Sequence, residues 1–302
     1  MDHAVVLAGG SGTRFWPESR TCRSKQFLDL TGGGPMIRET LERLRPVVPP
    51  ERLWIVAGRK DAPHLSPGAL GIPKGNVLLE PEGRNTAPAV ALAAAVIAKA
   101  DPDAVILATP ADHAIADVRA FHAVIRKGLK LARETGRFIT LGIPPTHPST
   151  GYGYIERGAP FPGKVKGAFQ VARFAEKPDL AAARRFLRSG RFDWNSGLFL
   201  FRTDMFADSL SKHLPEVGAA IREALRGGRN GFARRLGEAY RRMPSISIDY
   251  GILEKERGIL VLPANMGWND LGTWRSLHEV LGEEGGNVTF GDVILTDCRN
   301  TL

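Results

Sequence analysis

The sequence predicts an α/β fold of the Rossmann-like, three-layer kind, in which helices cover both faces of a mixed, mostly parallel central sheet. Three observations lead to this prediction. Short apolar runs alternate with longer helical patterns in the first half of the chain, the first apolar run leads into a glycine-rich loop, and the alternation becomes irregular after Pro144. With 302 residues, 43% of them hydrophobic, the chain is long enough for one sizeable domain.

The first half of the chain contains five short apolar runs that predict strands. Between them, longer segments place apolar residues at helical spacing. Strands that alternate with helices form a mostly parallel sheet, and ligands collect at the carboxyl ends of its strands. The predicted strands are 4–8, 53–57, 77–79, 104–108 and 138–143, and the predicted helices are 36–44, 87–100 and 118–135.

The second half of the chain is expected to continue the same domain, which covers residues 1–284 and divides into the parts 1–144 and 145–284. Residues 285–302 alternate apolar and polar side chains, which predicts the start of a β-rich C-terminal segment, either shortened or minimal. In the second part, the predicted strands are 151–156, 169–174 and 198–201, and the predicted helices are 180–187, 203–212, 216–225 and 232–240.

The chain carries a formal net charge of +9, which is compatible with an anionic partner. Its basic residues are scattered among acidic and apolar ones over 126–130, 184–191 and 222–242, without a nucleic-acid-binding motif, so we expect no nucleic-acid partner. No apolar run reaches the ~18 to 20 residues of a membrane span. Because no signal-peptide pattern precedes the first strand either, we expect a cytoplasmic protein without a membrane partner.

The glycine-rich loop lies in the run VVLAGGSGTR, which ends at Arg14. Gly9, Gly10 and Gly12 allow backbone N–H groups to approach phosphate oxygens, and Arg14 and Lys25 supply positive charge. The loop lacks the Lys-Ser/Thr of a P-loop and the third glycine of a dinucleotide fingerprint. It therefore predicts a polyphosphate site of a different kind, with a simple strand-to-helix turn as the alternative.

Two aspartates are candidates for binding a metal ion. Asp112 follows the predicted strand 104–108, so it lies at the carboxyl end of that strand, and Asp270 belongs to the distant motif WNDLG. Magnesium prefers oxygen ligands and usually takes one or two carboxylates together with substrate phosphates and water. A single aspartate at the end of a strand is more often a helix cap. The metal-site prediction therefore depends on Asp112 and Asp270 occurring together.

Several motifs together resemble those of the sugar nucleotidyltransferases, and of the mannose-1-phosphate guanylyltransferases among them. The resemblance spans nearly the whole chain. One departure is Ser24, because a proline usually precedes the lysine of the first motif. The motifs are LAGGSGTR with Lys25-Gln26-Phe27, EPEGRNTAPA from Glu80, PADH from Pro110, GYGYI from Gly151, EKP at Glu176, WNSGLFLF from Trp194, SIDYGILE from Ser247 and WNDLGTW from Trp268.

The resemblance implies the nucleotide-diphospho-sugar transferase fold, with 1–144 as its nucleotide half and 145–284 as its sugar half. It also implies Mg²⁺ as cofactor, bound by Asp112 and Asp270. The implied catalytic residues are Arg14, Lys25, Asp112 and Lys177. The implied nucleotide-binding residues are Leu7, Ala8, Gly9, Gly10, Gly12, Thr13, Pro110, Asp112 and the base-contacting loop Arg84, Asn85 and Thr86. The implied sugar-binding residues are Gly153, Glu176, Lys177, Asn195 and Asp249.

Some of these assignments have structural alternatives. Glu176 and Lys177 could form only a surface ion pair, Asn195 could be a turn residue, and Arg84 with its neighbours could be a simple connection. Asp249 could be a helix N-cap, because it precedes an apolar helical run.

The resemblance implies that GTP and mannose 1-phosphate are the substrates and that GDP-mannose and pyrophosphate are the products. Phosphoryl-type transfer depends on positioning and charge neutralisation, which suits a site made of cations and carboxylates. The nearest alternative keeps the fold but uses UTP, dTTP or ATP with glucose 1-phosphate. A non-catalytic sugar-nucleotide sensor and a basic nucleic-acid-binding protein are further alternatives, and a homodimer is compatible with the sequence.

Overall fold

The computed structural model describes residues 1–10, 13–228, 230–282 and 286–302. A nine-stranded sheet forms the centre of the molecule, and a two-stranded sheet lies beside it. The strands are β1 Asp2–Ala8, β2 Leu53–Gly58, β3 Val77–Glu80, β4 Val105–Pro110, β5 Ala114–Ile115, β6 Ile139–Ile143, β7 Tyr154–Pro160, β8 Phe169–Ala175, β9 Phe192–Arg202, β10 Leu260–Pro263 and β11 Trp268–Asn269.

Helices connect most of these strands, as the alternating pattern predicts. Short 3₁₀ turns at Thr13–Phe15, Lys25–Phe27, Pro50–Arg52, Arg59–His64 and Lys74–Asn76 and a π-helical turn at Asp249–Leu253 complete the set of helical elements. The α-helices are α1 Met36–Leu44, α2 Pro67–Leu70, α3 Thr86–Ala100, α4 Val118–Thr135, α5 Leu180–Ser189, α6 Thr203–His213, α7 Pro215–Leu225, α8 Phe232–Arg242 and α9 Trp274–Leu281.

The central sheet has the strand order β3-β2-β1-β4-β9-β6-β10-β8-β7. Strands β1 to β4 pair in parallel, and β10 pairs in parallel with β6. The pairings of β9 with β4, β6 and β7 and of β8 with β7 and β10 are antiparallel. Only β8 and β9 therefore run against the common direction, which confirms the predicted mixed α/β sheet.

Helices cover both faces of this sheet because its strands are apolar on both sides. In β1, Val5 packs toward the face covered by α3, α6, α7 and α8, whereas Ala4 and Val6 pack toward the face covered by α1 and α4. Parallel strands buried on both faces are typical of α/β proteins. The two layers of helices cover the faces of the sheet but not the carboxyl ends of β1 and β4, where loops can form a site.

Residues 286–302 contain no strand, although their alternating pattern predicts one. The backbone of Val288 donates to Thr301, but no ladder forms. Ile294, at the middle of the segment, is 94% exposed. The difference arises because an alternating segment becomes a strand only when another strand pairs with it and covers its apolar face. Within the described part of the chain, no helix is both long enough and apolar enough to cross a membrane.

Candidate active site

The glycine loop begins where β1 ends, at Ala8. Gly10 has a φ of 102°, in the left-handed region that favours glycine. The side-chain amide of Gln26 donates to the carbonyl oxygen of Ala8 at 2.9 Å, which fixes the start of the loop. The side chain of Ala8 is buried, so any role of this residue in binding belongs to its backbone. Gly12, also predicted to bind nucleotide, lies outside the described residues.

The loop lies beside the end of β4. Leu7 is paired with Pro110 in the sheet, and the backbone N–H of Ala111 donates to the carbonyl of Leu7 at 3.0 Å, so Asp112 emerges next to the glycines. A cavity of 330 Å³ opens there. Its lining combines the predicted phosphate-binding and metal-binding residues, namely Gly9, Gly10, Thr13, Arg14, Lys25, Gln26, Asp112, His113, Asp270, Leu271 and Gly272.

Lys25 joins the two predicted metal-binding aspartates. Its Nζ donates to Asp112 Oδ2 at 2.9 Å and to the backbone carbonyl of Asp270 at 2.6 Å. The Lys25 residue is only 5% exposed, so its charge acts where water screens it little. The enclosed position of Asp112 opposes its ionisation, but the Lys25 ammonium beside it holds the pKa of that carboxyl below its usual value. Asp112 is therefore ionised at neutral pH.

The carboxylate of Asp270 is held by two donors other than Lys25. Its Oδ1 accepts one hydrogen bond from the Tyr152 hydroxyl and one from the backbone N–H of Gly272, each at 3.0 Å. Burial, reinforced by the Asp270 charge, raises the pKa of Tyr152, so this hydroxyl remains a donor. Tyr152 was not among the predicted site residues, although it lies inside the GYGYI motif.

The two aspartates fit a divalent ion that also binds substrate phosphates. They supply hard carboxylate oxygens to one cavity, and such an ion needs only one or two protein carboxylates when phosphates and water complete its shell. Within the described residues, no group of three or more His, Cys, Asp or Glu side chains could hold a metal ion. The donor set therefore suits a metal that arrives with a nucleotide better than one bound by protein alone.

A second cavity, of 720 Å³, lies on the other side of the glycine loop. Asn85 and Thr86 line it, but each already has a local role: Asn85 Oδ1 accepts from the Thr86 N–H at 2.8 Å and caps α3, and Thr86 Oγ1 accepts from the N–H of Ile248 at 2.9 Å. The other lining residues include Leu7, Gly9, Gly10, Glu80, Gly83, Pro110, Asp112 and Ser245.

Arg84 does not line this cavity. Its guanidinium donates to the Glu82 carboxylate at 3.1 Å and to the carbonyl of Arg241 at 3.3 Å, at the end of α8. Its backbone carbonyl accepts from the N–H of Ile246 at 3.2 Å. In this structure Arg84 therefore ties the predicted base-contacting loop to α8 and to the segment after it.

Glu80 lines this cavity, although it was not among the predicted site residues. It ends β3, is 5% exposed, and its Oε1 is buried without a hydrogen-bond partner among the described residues. Burial raises its pKa to about 7. A buried acceptor that lacks a donor is costly, so this oxygen is suited to a donor that a ligand supplies. The available signal was an acidic residue at the end of the apolar run VLLE.

The predicted sugar-binding residues lie together at the other end of the site. The backbone N–H of Asn195 donates to the carbonyl of Gly153 at 2.8 Å, and Asn195 Nδ2 donates to Asp249 Oδ1 at 2.8 Å. A Cβ on Gly153 would lie 2.5 Å from Glu176 Oε2, so that carboxylate packs directly over the glycine. Lys177, at a φ of 42°, lies with Nζ 3.0 Å from Glu176 Oε1 and is largely exposed.

Asp249 is not a helix N-cap. It is the first residue of the π-helical turn, Ile248 occupies the cap position, and no side chain caps the turn. Burial raises the pKa of Asp249, while the hydrogen bond from Asn195 opposes that shift. The alternative role as a cap is therefore excluded, and its carboxylate faces the predicted sugar-binding residues.

The model of the nucleotidyl transferase family matches residues 3–284 of this chain. The chain belongs to the nucleotidyl transferase family. Members of this family generally use a divalent metal ion. The match covers every predicted site residue.

Relatives of this nucleotidyl transferase extend beyond it. The xanthan biosynthesis protein XanB of Xanthomonas campestris pv. campestris is 43% identical over 98% of this chain and 63% of its own length. A mannose-1-phosphate guanylyltransferase of Escherichia coli is 40% identical over 99% of this chain and 64% of its own length. The chain thus spans less than two thirds of the length of both relatives.

A solved structure supports the same assignment. A Thermus thermophilus protein described as a mannose-1-phosphate geranyltransferase superimposes on this nucleotidyl transferase with a TM-score of 0.86 and 38% sequence identity. The superposition covers 96% of this chain and 82% of that chain. The nucleotidyltransferase fold therefore extends over both halves of the central sheet.

Proposed function

We propose that this protein transfers a guanylyl group from GTP to mannose 1-phosphate, giving GDP-mannose and pyrophosphate. The observation that carries the proposal is the junction of Lys25 with Asp112 and Asp270 beside the glycine loop. Three distant segments supply one buried cation and two carboxylates, which is the charge set that transfer between phosphates requires. The mannose-1-phosphate guanylyltransferase of Escherichia coli supports the choice of substrates.

In the proposed reaction, an oxygen of the sugar phosphate attacks the α-phosphorus of GTP in line. The bond from that phosphorus to the bridging oxygen breaks, and its electron pair leaves with pyrophosphate. Lys25 and Arg14 line the cavity beside the glycine loop, so their charges face the departing group. Negative charge grows on pyrophosphate as the bond breaks, so a fixed ammonium stabilises the transition state more than the bound substrate.

Asp112 and Asp270 would hold the divalent ion, which we infer to be Mg²⁺. When bound, Mg²⁺ neutralises charge on the phosphate oxygens. The protein keeps Asp112 ionised through Lys25, and it holds Oδ1 of Asp270 through Tyr152 and Gly272. No donor among the described residues reaches Oδ2 of Asp270, so this oxygen is available for a ligand.

The base of GTP would enter the 720 Å³ cavity and meet Glu80. Guanine presents two neighbouring donors, N1–H and N2–H₂, which match a carboxylate. Adenine and the pyrimidines lack this pair of donors, so they would form fewer hydrogen bonds with the buried Glu80 carboxylate. Asn85 and Thr86 would contribute mainly through the backbone, since their side chains are already hydrogen-bonded.

The sugar of mannose 1-phosphate would bind against Gly153, Glu176 and Asn195, with Asp249 behind Asn195. Carboxylate and amide groups suit hydroxyls, which both donate and accept hydrogen bonds. The Lys177 side chain is largely exposed, so its ammonium would be free to leave Glu176 and contact the sugar phosphate.

Pyrophosphate release from a panel of nucleotides and sugar phosphates tests this proposal. GTP, ATP, UTP and dTTP are each combined with mannose 1-phosphate and with glucose 1-phosphate, in the presence of Mg²⁺. We expect the highest kcat/KM with GTP and mannose 1-phosphate. Preference for UTP or dTTP would move the protein to a different substrate class, and GTP binding without pyrophosphate release from any pair would favour a sensor.

A further inference from the structure

An aromatic cluster lies between the predicted sugar-binding residues and the predicted metal-binding aspartates. It consists of His113, His147, Tyr152, Trp194 and Trp268. The ring centroids of Tyr152 lie 4.9 Å from Trp194 and 5.4 Å from Trp268, and those of Trp194 and His147 lie 4.9 Å apart, all edge to face. Aromatic pairs in this geometry hold each other in place beyond what burial alone provides.

The Tyr152 ring is fixed from two sides. Trp194 belongs to β9 and directly precedes Asn195, whereas Trp268 opens β11. With both neighbours anchored in strands, the Tyr152 hydroxyl has one well-defined position, and it lies 3.0 Å from Asp270 Oδ1. Cluster packing thus sets the direction of the hydroxyl, and the hydroxyl sets the direction of the carboxylate.

The same cluster reaches the second aspartate through the backbone. Trp268 Nε1 donates to His113 Nδ1 at 3.1 Å, and His113 directly follows Asp112. Strands β11 and β5 pair antiparallel, with Trp268 opposite Ile115 and Asn269 opposite Ala114. Asp112 lies just before β5 and Asp270 just after β11, at the same end of this two-stranded sheet, so their side chains must be oriented to face a common ion.

For Asp270, that orientation depends on Tyr152 and Gly272. Both donate to Oδ1, which leaves Oδ2 as the oxygen without a donor among the described residues. The Gly272 bond is local and comes from a residue two positions further along the chain. The Tyr152 bond comes from 118 residues away and ties the carboxylate to the segment that precedes β7.

We propose that Tyr152 is a positioning residue that orients the Asp270 carboxylate for a divalent metal ion. This inference rests on the proposed function, because it requires Asp270 to bind the metal. Without the hydroxyl, Asp270 keeps only the Gly272 bond, and its carboxylate can rotate away from the orientation that the ion needs. Loss of such an outer hydrogen bond typically weakens metal binding by about 10- to 100-fold.

The test measures the affinity of the GTP-bound protein for Mn²⁺, by electron paramagnetic resonance of the free ion. The variants are Tyr152→Phe, which keeps the ring, Asp270→Asn, which removes the ligand charge, and Tyr154→Phe as matched control. Tyr154 is buried whereas Tyr152 is half-buried, and the hydroxyl of Tyr154 also donates one hydrogen bond, to the carbonyl of Ser149. We expect Tyr152→Phe to weaken Mn²⁺ binding about tenfold or more, and Tyr154→Phe to leave it unchanged.

Turnover against metal concentration provides a second measurement. If Tyr152 only positions Asp270, then Tyr152→Phe raises the Mg²⁺ concentration at half-maximal rate, and saturating Mg²⁺ restores kcat. If Asp270→Asn weakens Mn²⁺ binding but Tyr152→Phe does not, the positioning role of Tyr152 is wrong and the metal assignment of Asp270 stands. Equal Mn²⁺ affinities in the parent and Asp270→Asn would overturn the metal assignment of the proposed function and the role of Tyr152 with it. Circular dichroism confirms that each variant is folded.

Discussion

The Nζ of Lys25 lies 2.9 Å from Oδ2 of Asp112, although 87 residues separate them in the sequence. The same ammonium lies 2.6 Å from the backbone carbonyl of Asp270, so one cation connects three segments. Its position is set by the fold before any substrate binds. A charge placed in advance needs no reorganisation when negative charge develops on the phosphates, and preorganisation of this kind is a main source of catalytic power.

Lys25→Met is therefore expected to lower kcat strongly. Removing one fixed group that stabilises developing charge typically costs about 10²- to 10³-fold in kcat. Steady-state pyrophosphate release at varied GTP gives kcat and KM separately, and Lys74→Met, at an exposed lysine, is the control. A rise in the KM for GTP with unchanged kcat would mean that Lys25 only binds the nucleotide.

Asp112→Asn and Asp270→Asn are each expected to abolish most metal-dependent turnover. Both substitutions keep the shape of the side chain but remove a charged ligand, and a metal contributes several kcal/mol to charge stabilisation, or about 10³-fold in rate. Initial rates are measured at saturating Mg²⁺ and with a chelator, beside Asp103→Asn at an exposed aspartate. Undiminished activity of the parent in the presence of chelator would contradict the metal requirement.

Glu80→Gln is expected to change how stability depends on pH. Burial raises the folded-state pKa of Glu80 from 4.5 to about 7, so between these values the folded protein binds the proton that the unfolded chain has lost. Stability from this group is therefore full below pH 4.5 and falls as the pH rises through 7. The glutamine variant lacks this loss, which reaches on the order of 3 kcal/mol above pH 8.

Urea unfolding at pH 5 and at pH 8 measures this difference. The parent should lose stability relative to Glu80→Gln between the two pH values, whereas Glu51→Gln, at an exposed glutamate, should follow the parent. Parallel pH profiles for the parent and Glu80→Gln would show that the carboxyl of Glu80 titrates normally.

Glu80→Gln should also weaken the discrimination for guanine. A glutamine side chain has only one acceptor oxygen, and its NH₂ group is a donor that cannot accept a hydrogen bond from guanine. Loss of one hydrogen bond to a charged group costs about 1.5 to 3 kcal/mol, so the KM for GTP should rise about tenfold or more. Competition between GTP and ATP measures the selectivity. An unchanged GTP preference would place base recognition elsewhere in the cavity.

Gly153→Ala is expected to impair sugar binding while leaving the fold intact. The added Cβ would lie 2.5 Å from Glu176 Oε2, and the flexible end of that side chain can move away. Displacing one charged hydrogen-bonding group should raise the KM for mannose 1-phosphate about tenfold. Gly151→Ala is the control, since its Cβ would meet only Ser149 Oγ at 3.7 Å. Similar KM values for both variants would argue against Glu176 as a sugar ligand.

Local signals account for the parts of the fold that the sequence predicts best. Helices α1 and α4 have the predicted bounds. The residues that directly flank α4 in the sequence determine where it begins and ends. Asp117 accepts from the N–H of Ala120 at the start, and Gly136 adopts a left-handed conformation at the end. Strand β10 was not predicted, because its four residues become a strand only through β6 and β8, which are distant in the chain.

Motifs likewise identified groups of residues but not the directions of their side chains. The structure brings Lys25, Asp112 and Asp270 into one cavity. Arg84, however, turns to the carbonyl of Arg241, 157 residues away, and only the packing of α8 determines that partner. For Glu80 the only sequence signal was an acidic residue at the end of an apolar run, because its burial and the lack of a partner for Oε1 are properties of the folded chain.

Strand β9 limits how this protein can admit its substrates. It begins beside β6 and β7, where Asn195 pairs with Gly142, and it ends beside β4, where Leu200 pairs with Leu107. Strand β9 is thus hydrogen-bonded to strands of both the nucleotide half and the sugar half. A hinge motion between the two halves would have to break these backbone hydrogen bonds. Opening and closing must therefore belong to the loops along the sheet edge, and small-angle scattering should give the same radius of gyration with and without GTP.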